Sequence, residues 1–150
     1  MTFRSLKDDV AAALGSPVAS SRAVAGGDIN ETYQMILADG RRVFVKSNDQ
    51  AADSLFAAEA RGLSWLGEAR ALRVPRVLFV SEHFLVLEHL NSGRRRADFD
   101  ERLGRGLAAL HRFGAPGFGL DHDNFIGRLP QANRSALTWP DFYRERWLEL

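Results

Sequence analysis

The chain has 150 residues, of which 45% are hydrophobic and 26% are charged, and a net charge of +1. This composition is typical of a globular protein with a core of its own, comprising one domain or one domain and a piece. The balanced charge provides no field that would attract nucleic acid or an acidic membrane. The absence of cysteine excludes disulfides, thiolate nucleophiles and cysteine-bound metals, and it fits a cytoplasmic location. No targeting segment or membrane span is expected, because charges interrupt residues 1–14 and no later apolar run is long enough.

Hydrophobic periodicity and turn residues divide the chain into strands and helices. In chain order they predict a helix over residues 3–14, strands over 18–24, 31–38 and 43–46, a helix over 53–69, strands over 76–80 and 84–87, a helix over 98–113 and a final helix beginning near 138. The first strands should form an antiparallel meander that the second helix crosses, and the later two a well-buried hairpin. The polar stretch Asn91 to Arg96 is the only plausible linker in the chain.

Several short signals predict how these elements turn and begin. Asp39-Gly40 is a strong hairpin signal, and a type I′ turn at this point would need positive φ at both residues. Asp53 or a nearby polar residue is expected to cap the second helix. Two pairs have the spacing of a capping box, Asp98 with Glu101 and Thr138 with Asp141.

One lysine and one glutamate carry the clearest chemical signal. Glu59 lies between Phe56 and Leu63 on the helix stripe that should face the core, where an unpaired carboxylate is costly. Lys46 ends a strand that otherwise lacks charge, and it is the best candidate for the partner. A strand lysine paired with a helix glutamate is how kinase folds grip the phosphates of ATP. The alternative is that Lys46 only snorkels at a strand end and that Glu59 reaches solvent.

Three other segments carry weaker signals. Gly26-Gly27 would let backbone N–H groups approach phosphate, although no complete phosphate-loop motif surrounds it and an ordinary hairpin turn is the alternative. Glu88-His89-Leu90 follows the second hairpin, where a kinase-like chain would present backbone groups to adenine, unless it is simply a strand end. The run Arg94 to Arg96 could meet a phosphate or form a solvated loop.

No metal site and no catalytic residue are predicted. The four histidines lack metal-ligand spacing, and Asp121 to Asn124 does not complete a calcium loop, since Phe125 stands at the next ligand position. The run His111 to Phe113 has no carboxylate where a kinase catalytic loop needs one to accept a hydroxyl proton.

Short segments in a fixed order resemble those of one enzyme family. They are Gly26-Gly27-Asp28-Ile29-Asn30, Val43-Phe44-Val45-Lys46, Phe56 to Leu63, Val74-Pro75, Leu85-Val86-Leu87-Glu88, Leu103-Gly104, Leu107 to His111, Phe118-Gly119, Asp123 to Gly127, Pro130-Gln131, and Trp139 with Phe142-Tyr143. Over nearly its whole length the chain resembles the fructosamine kinases, also called ketosamine 3-kinases. The run Asp123 to Gly127 with Pro130-Gln131 is the most specific, because more distant kinase relatives are not expected to share it.

The resemblance implies an α+β, protein-kinase-like fold. Residues 1–90 would form the ATP-binding N-lobe, an antiparallel sheet with one crossing helix, and residues 91–150 the hinge, the linker and the first helices of an incomplete C-lobe. The implied ATP-binding residues are Gly26 and Gly27 over the phosphates, Lys46 on the phosphates, Glu59 positioning Lys46, and Glu88, His89 and Leu90 at the adenine. Asp123, Asn124 and Gln131 resemble the family's loop region near the sugar.

The resemblance also implies a reaction and its limit in this chain. The family uses ATP to phosphorylate the sugar of ketosamine adducts on amines or proteins, which makes the adduct labile and repairs glycated protein. A His-Gly-Asp catalytic loop and the Asp that follows it for Mg²⁺ occur nowhere in the 150 residues. We therefore expect the catalytic Asp and the Mg²⁺ ligands in a missing C-terminal part, so that ATP binds only weakly and phosphoryl transfer fails.

Two alternatives to a kinase remain open. A non-catalytic nucleotide-binding or regulatory module would keep the grip on ATP and lack the chemistry. A structural fragment would instead self-associate through the final helix, whose apolar face has no later element to cover it. That face comprises Trp139, Phe142, Trp147 and Leu148.

Overall fold

The protein is described by a computed structural model over residues 3–25 and 29–144. Its elements, in chain order, are α1 Phe3–Leu14, β1 Val18–Ala23, β2 Glu31–Leu37, β3 Arg42–Ser47, α2 Leu55–Glu68, β4 Val77–Val80, β5 Phe84–Glu88, α3 Phe99–Phe113, β6 Asn124–Ile126, β7 Leu129–Gln131 and α4 Trp139–Tyr143. Among these residues, no helix combines the length and the apolar character needed to cross a bilayer.

The predicted meander and the predicted second hairpin join in one antiparallel sheet of five strands. The strand order is β1-β2-β3-β5-β4, so β3 occupies the centre. The helix α2 connects β3 to β4, and it packs against β4 and β5. The predicted α+β architecture of a sheet with one crossing helix is confirmed.

Each face of the sheet buries its own apolar cluster. On one face α1 packs against the strands, and this cluster comprises Leu6, Val10, Met35, Leu37, Val43, Val45, Phe84 and Val86. On the other face α2 packs through Phe56 and Ala60 against Leu85 and Leu87 of β5. Side chains alternate along a strand, so Val43 and Val45 face α1, while Phe44 and Lys46 face α2. The alternation therefore places the Lys46 side chain, near the end of β3, under α2.

The turn between β2 and β3 differs from the predicted type. Gly40 has a φ of 85°, but Asp39 is not among the residues with positive φ, so a type I′ turn is wrong. The Gly40 N–H donates to the Leu37 carbonyl at 2.9 Å, and the Leu37 N–H donates to the Arg41 carbonyl at 2.9 Å. Asp39 keeps ordinary backbone angles because its carboxylate accepts from the Arg41 N–H at 3.0 Å.

Of the three predicted caps, one forms. Thr138 begins α4, and its hydroxyl accepts from the Asp141 N–H at 3.4 Å. Asp98 makes no capping hydrogen bond and instead pairs with Arg96 at 3.3 Å, so the capping box at α3 is wrong. Ser54, next to the predicted Asp53, begins α2 with a φ of 72° and without a side-chain cap. Arg96 and Arg102, one on either side, both pair with the Asp98 carboxylate, which explains why the predicted capping box does not form.

Burial is uneven outside the centre of the sheet. In the second hairpin β5 is buried, but β4 is an edge strand whose Val80 is 39% exposed, so only half of that hairpin is well buried as predicted. The helix α3 has no buried residue within the described part of the chain. A short hairpin, β6 with β7, lies outside the main sheet and was not predicted.

Candidate functional site

The two residues with the clearest sequence signal meet in the structure. The Lys46 Nζ donates to both carboxylate oxygens of Glu59, at 2.7 and 2.8 Å. Their side chains are 23% and 30% exposed, so the pair is shielded but not removed from water. The predicted pairing is confirmed. The Glu59 carboxylate is less shielded from water than a position inside the core would make it. A two-point contact of this kind fixes the ammonium in one place.

The elements that carry this pair are the most constrained in the fold. Lys46 lies on the central strand, opposite Thr32 on β2 and Leu85 on β5. Glu59 follows Ala58 on α2, in the turn that packs its apolar side on β5. The ammonium is therefore held by a strand with a hydrogen-bonded neighbour on each side, and the carboxylate by a docked helix.

A cavity of about 380 Å³ opens beside the pair. One wall is α2, and the opposite wall is the hairpin of β6 and β7 together with the chain just before β2. Its lining includes Lys46, Glu59, Asn30, Leu55, Ala58, Gly62, Leu63, Asn124, Phe125 and Gly127. The cavity thus combines one cation, one anion and two amides with apolar walls. This is the composition of a site that orients a polar ligand.

A smaller cavity of about 170 Å³ adjoins the first. The two share Ile29, Leu55, Phe125 and Gly127, and the smaller one is also lined by Asn48 and Arg128. The turn of the β6–β7 hairpin therefore meets the chain that precedes β2. Gly127 has a φ of 65°, a backbone conformation that residues with a Cβ rarely adopt.

The predicted phosphate-loop glycines, Gly26 and Gly27, lie outside the described residues. The chain on the far side of that loop is fixed by Asn48, whose amide donates to the Ile29 carbonyl at 3.1 Å and to Asn30 at 3.2 Å. On the near side, the Val24 backbone is hydrogen-bonded to Thr32 through both its N–H and its carbonyl. Both anchors lie at the end of the sheet where Lys46 lies.

The predicted adenine segment begins at the other end of β5. Glu88 pairs with Val43, three residues from Lys46 along β3, which is about 10 Å at the rise of a strand. A hydrogen bond from the Arg76 N–H, and the guanidinium groups of Arg73 and Arg76, keep the pKa of Glu88 below its usual value. The Glu88 side chain is thus committed to the β4 side.

The two residues after Glu88 have different surroundings. The His89 Nδ1 is enclosed and has no hydrogen-bond partner among the described residues. Leu90 is 38% exposed. A buried acceptor or donor without a partner is costly, and a bound ligand is one way to satisfy it.

The substrate-loop candidates divide between support and lining. Asp123 accepts from the Asn133 N–H at 2.8 Å, and Gln131 is buried opposite Asn124 in the hairpin. Asn124 both accepts from the Asn133 amide at 2.7 Å and lines the larger cavity. The sequence analysis did not single out Asn133. A signal was available, because residues two positions apart share one face of a strand, and Asn133 stands two positions after Gln131. Of the three candidates, only Asn124 lines the larger cavity.

No cluster of three or more histidine, aspartate or glutamate side chains suited to a metal occurs within residues 3–25 and 29–144. Within these residues the cavity lining offers one cation, two amides and apolar side chains, and its one carboxylate is that of Glu59. The carboxylate of Glu59 is occupied by Lys46.

Comparison with known proteins identifies relatives of this chain. The fructosamine kinase family profile matches residues 2–150. The chain belongs to the fructosamine kinase family. It is 36% identical to a probable ketoamine kinase from Synechocystis over 97% of the chain, and 37% identical to a chloroplastic protein-ribulosamine 3-kinase from Arabidopsis thaliana over 83%.

A solved structure matches the fold of this family member. The crystal structure of a candidate fructosamine-3-kinase from Thermobifida fusca superimposes with a TM-score of 0.86 at 36% identity, over 97% of the chain. The predicted kinase-like fold is confirmed by this match. The chain covers 51% of that structure, 52% of the Synechocystis relative and 40% of the Arabidopsis relative, so it spans about half their length.

Proposed function

We propose that this chain is the ATP-binding part of a kinase that phosphorylates the sugar of glycated amines. The observation that carries the proposal is the contact of Lys46 with both oxygens of Glu59 beside a cavity. In a kinase the lysine neutralises the α and β phosphates, and the glutamate holds the lysine in place. The names of the relatives, a ketoamine kinase and a protein-ribulosamine 3-kinase, support the substrate class.

The proposed ATP would extend from the end of β5 to the end of β3. Backbone groups of Glu88, His89 and Leu90 would receive the adenine, since the Glu88 side chain is already paired with two arginines. Lys46 would meet the phosphates, and Gly26-Gly27 would cover them. The spacing of about 10 Å between Glu88 and Lys46 suits a nucleotide bound in an extended form.

The acceptor sugar would lie on the α2 side of Lys46. Asn124 lines the cavity there, and Asp123 and Gln131 would support it from behind. When Mg²⁺ and a base are present, the sugar hydroxyl attacks the γ phosphorus, the bond to the β-phosphate oxygen breaks, and ADP leaves. The hydroxyl proton needs a carboxylate acceptor, which the family's His-Gly-Asp motif would supply and which these residues lack.

These 150 residues alone should therefore bind ATP without transferring its phosphate. A non-catalytic nucleotide-binding module remains the alternative function, and it differs in needing no acceptor. We also propose residues 1–90 and 91–150 as N-lobe and partial C-lobe, and a cytoplasmic location in keeping with the absence of cysteine.

Calorimetry with ATP and Mg²⁺ tests the proposal directly. Lys46→Ala removes a charged hydrogen-bond donor, which is worth about 1.5–3 kcal/mol, so affinity should fall about ten- to hundredfold. Arg105→Ala is the matched control, because it breaks an exposed pair with Glu101 on α3 and leaves the cavity intact. Equal ATP affinity in Lys46→Ala and the parent would show that Lys46 does not bind the phosphates.

The acceptor side needs a separate measurement. A soluble fructosamine-type amine adduct, added with ATP, should perturb the amide signals of Asn124 in an NMR titration. The non-catalytic alternative predicts that ATP perturbs the signals near Lys46 while the adduct perturbs none in the β6–β7 hairpin.

A further inference from the structure

The segment just before β6, Asp121 with His122, docks on the turn of α2 that carries Glu59. The Arg61 Nη2 donates to the Asp121 Oδ2 at 2.6 Å. The His122 Nε2 lies 3.4 Å from the Ala58 carbonyl. Ala58 and Arg61 stand one residue before and two residues after Glu59, and β6, which follows His122, also packs against α2. The segment before β6 therefore contacts the helix on both sides of the glutamate.

Asp121 and His122 form one connected group. One Asp121 oxygen meets Arg61, and the other lies 2.5 Å from the His122 Nδ1. The His122 side chain is only 11% exposed, with one nitrogen facing Asp121 and the other facing α2. The hydrogen bond to His122 and the Arg61 guanidinium lower the pKa of Asp121, so the carboxylate stays ionised. The imidazole is held between a fixed anion and the helix backbone.

The segment behind these contacts is itself fixed. Asn133 is 4% exposed, and its side-chain amide donates to the His122 carbonyl at 3.2 Å and to the Asn124 Oδ1 at 2.7 Å. Its backbone N–H donates to the Asp123 Oδ1 at 2.8 Å. Three consecutive residues are thus tied to one buried asparagine. Because this segment cannot shift freely, it can set the position of whatever docks on it.

We propose that Asp121 and His122 are positioning residues that hold α2 where Glu59 reaches Lys46. The apolar contacts of α2 with β5 attract the helix but do not by themselves fix its rotation, because the hydrophobic effect is non-directional. Asp121 and His122 supply directional contacts on the turn of α2 that carries Glu59. Exposed ion pairs such as Arg61 with Asp121 contribute little, so the shielded His122 carries most of the effect. For ATP affinity, this inference rests on the proposed function of Lys46.

The composition of the chain gives a direct readout of the Lys46–Glu59 pair. Lysine occurs only twice, as Lys7 on α1 and Lys46 on β3. ¹⁵N-lysine labelling therefore yields two side-chain ammonium signals, and Lys7 serves as the internal reference. In His122→Ala the Lys46 signal should shift or broaden while the Lys7 signal stays in place. In His122→Gln, which keeps one hydrogen-bond donor, the change in the Lys46 signal should be smaller than in His122→Ala.

ATP affinity provides the second readout. If His122→Ala reduces the paired population to about a tenth, the apparent Kd for ATP and Mg²⁺ should rise about tenfold. Arg105→Ala, which breaks an exposed pair on α3, should leave both the Lys46 signal and the Kd unchanged. A folded His122→Ala protein with an unchanged Lys46 signal would overturn the inference.

Two further outcomes have a defined meaning. Should His122→Ala not fold, the exposed variant Asp121→Asn decides, because it removes the anion from His122 and from Arg61 without emptying a buried volume. An unchanged Lys46 signal in Asp121→Asn would then contradict the inference. If Lys46→Ala leaves ATP affinity unchanged, the proposed function fails, while the ammonium signals still decide whether Asp121 and His122 position Glu59.

Discussion

The sheet half, residues 3–88, and the helical part, residues 99–144, bury apolar surface in different ways. Among the residues whose burial the structure describes, every buried hydrophobic one except Phe142 lies in the sheet half. In the helical part, α3 shows Phe99, Leu103 and Leu107 to solvent at 44%, 38% and 40% exposure. The helical part also contains two of the buried polar residues, Gln131 and Asn133.

This difference shows that the sheet half supplies the core under the site and that the helical part supplies the segment that docks on it. The sheet half closes a core on both faces, so the distance between Lys46 and Glu59 is set within it and by the hairpin docked on α2. The helical part depends on hydrogen bonds around Asn133 and leaves an apolar helix face uncovered among the described residues. We therefore expect the two regions to respond differently to the same change.

The largest expected effect compares two leucines. Leu85 on β5 is fully buried, whereas Leu107 on α3 is 40% exposed. Leu85→Ala should lower the free energy of unfolding by about 2–5 kcal/mol through lost burial and the cavity left behind. Leu107→Ala should change it by less than about 1 kcal/mol. Urea unfolding followed by circular dichroism measures both, and equal losses would remove the contrast between the regions.

ATP should stabilise the two regions unequally. A ligand at one hundred times its Kd adds about 2.7 kcal/mol to the state that binds it. We expect amide hydrogen exchange in β3 and α2 to slow up to about a hundredfold, and exchange in α3 to change little, because α3 opens separately. At the same ATP concentration, Lys46→Ala should reduce the slowing to about two- to tenfold, because its affinity for ATP is about ten- to hundredfold weaker. Uniform protection across α3 and the sheet would mean that the regions unfold as one unit.

Self-association through the final helix stays a prediction. It would change the molecular mass in solution, and this effect ranks below the two effects above. Of the four residues predicted for this face, Trp139 is 51% exposed, Phe142 is buried, contrary to the prediction, and Trp147 and Leu148 lie outside the described residues. The Trp139 ring is tilted against that of Tyr143 at 5.7 Å between ring centroids. If this face joins two copies, sedimentation should show a mass that rises with concentration and falls to the monomer in Trp139→Ser. Val80→Ser, on the 39% exposed edge of the sheet half, is the control. A monomer at all concentrations would contradict the prediction.

The smallest effect concerns pH and the turn between β2 and β3. Hydrogen bonds from the Arg41 side chain and backbone lower the pKa of Asp39 from 3.8 to about 2. A depressed folded-state pKa adds stability that is present above the unfolded value and is lost as pH falls. Between about pH 4 and pH 2 the parent should lose slightly more stability than Asp39→Asn. Equal slopes in urea titrations across this window would show that the pair contributes nothing.

Most of the fold followed from local patterns. The observed helices and main-sheet strands lie within one or two residues of the predicted ranges, because a 3.6-residue or two-residue period marks each one. The β6–β7 hairpin was missed, since strands of three residues are too short to show a period. The predictions of the turn type and of the Asp98 cap were wrong, because the carboxylate of Asp39 pairs with Arg41 and that of Asp98 pairs with Arg96.

The sequence by itself determined the sheet and the crossing helix. It favoured the partnership of Lys46 with Glu59, because a lysine on an apolar strand and a glutamate on an apolar helix stripe are each costly to leave unpaired. Only the tertiary structure decided that Asp121 and His122 dock on the same helix, that Asn133 ties their segment together, and that α3 keeps an open face. Arg61 and Asp121 are 60 residues apart in the chain. A contact at such separation depends on how the whole chain folds, and no local period or turn residue encodes it.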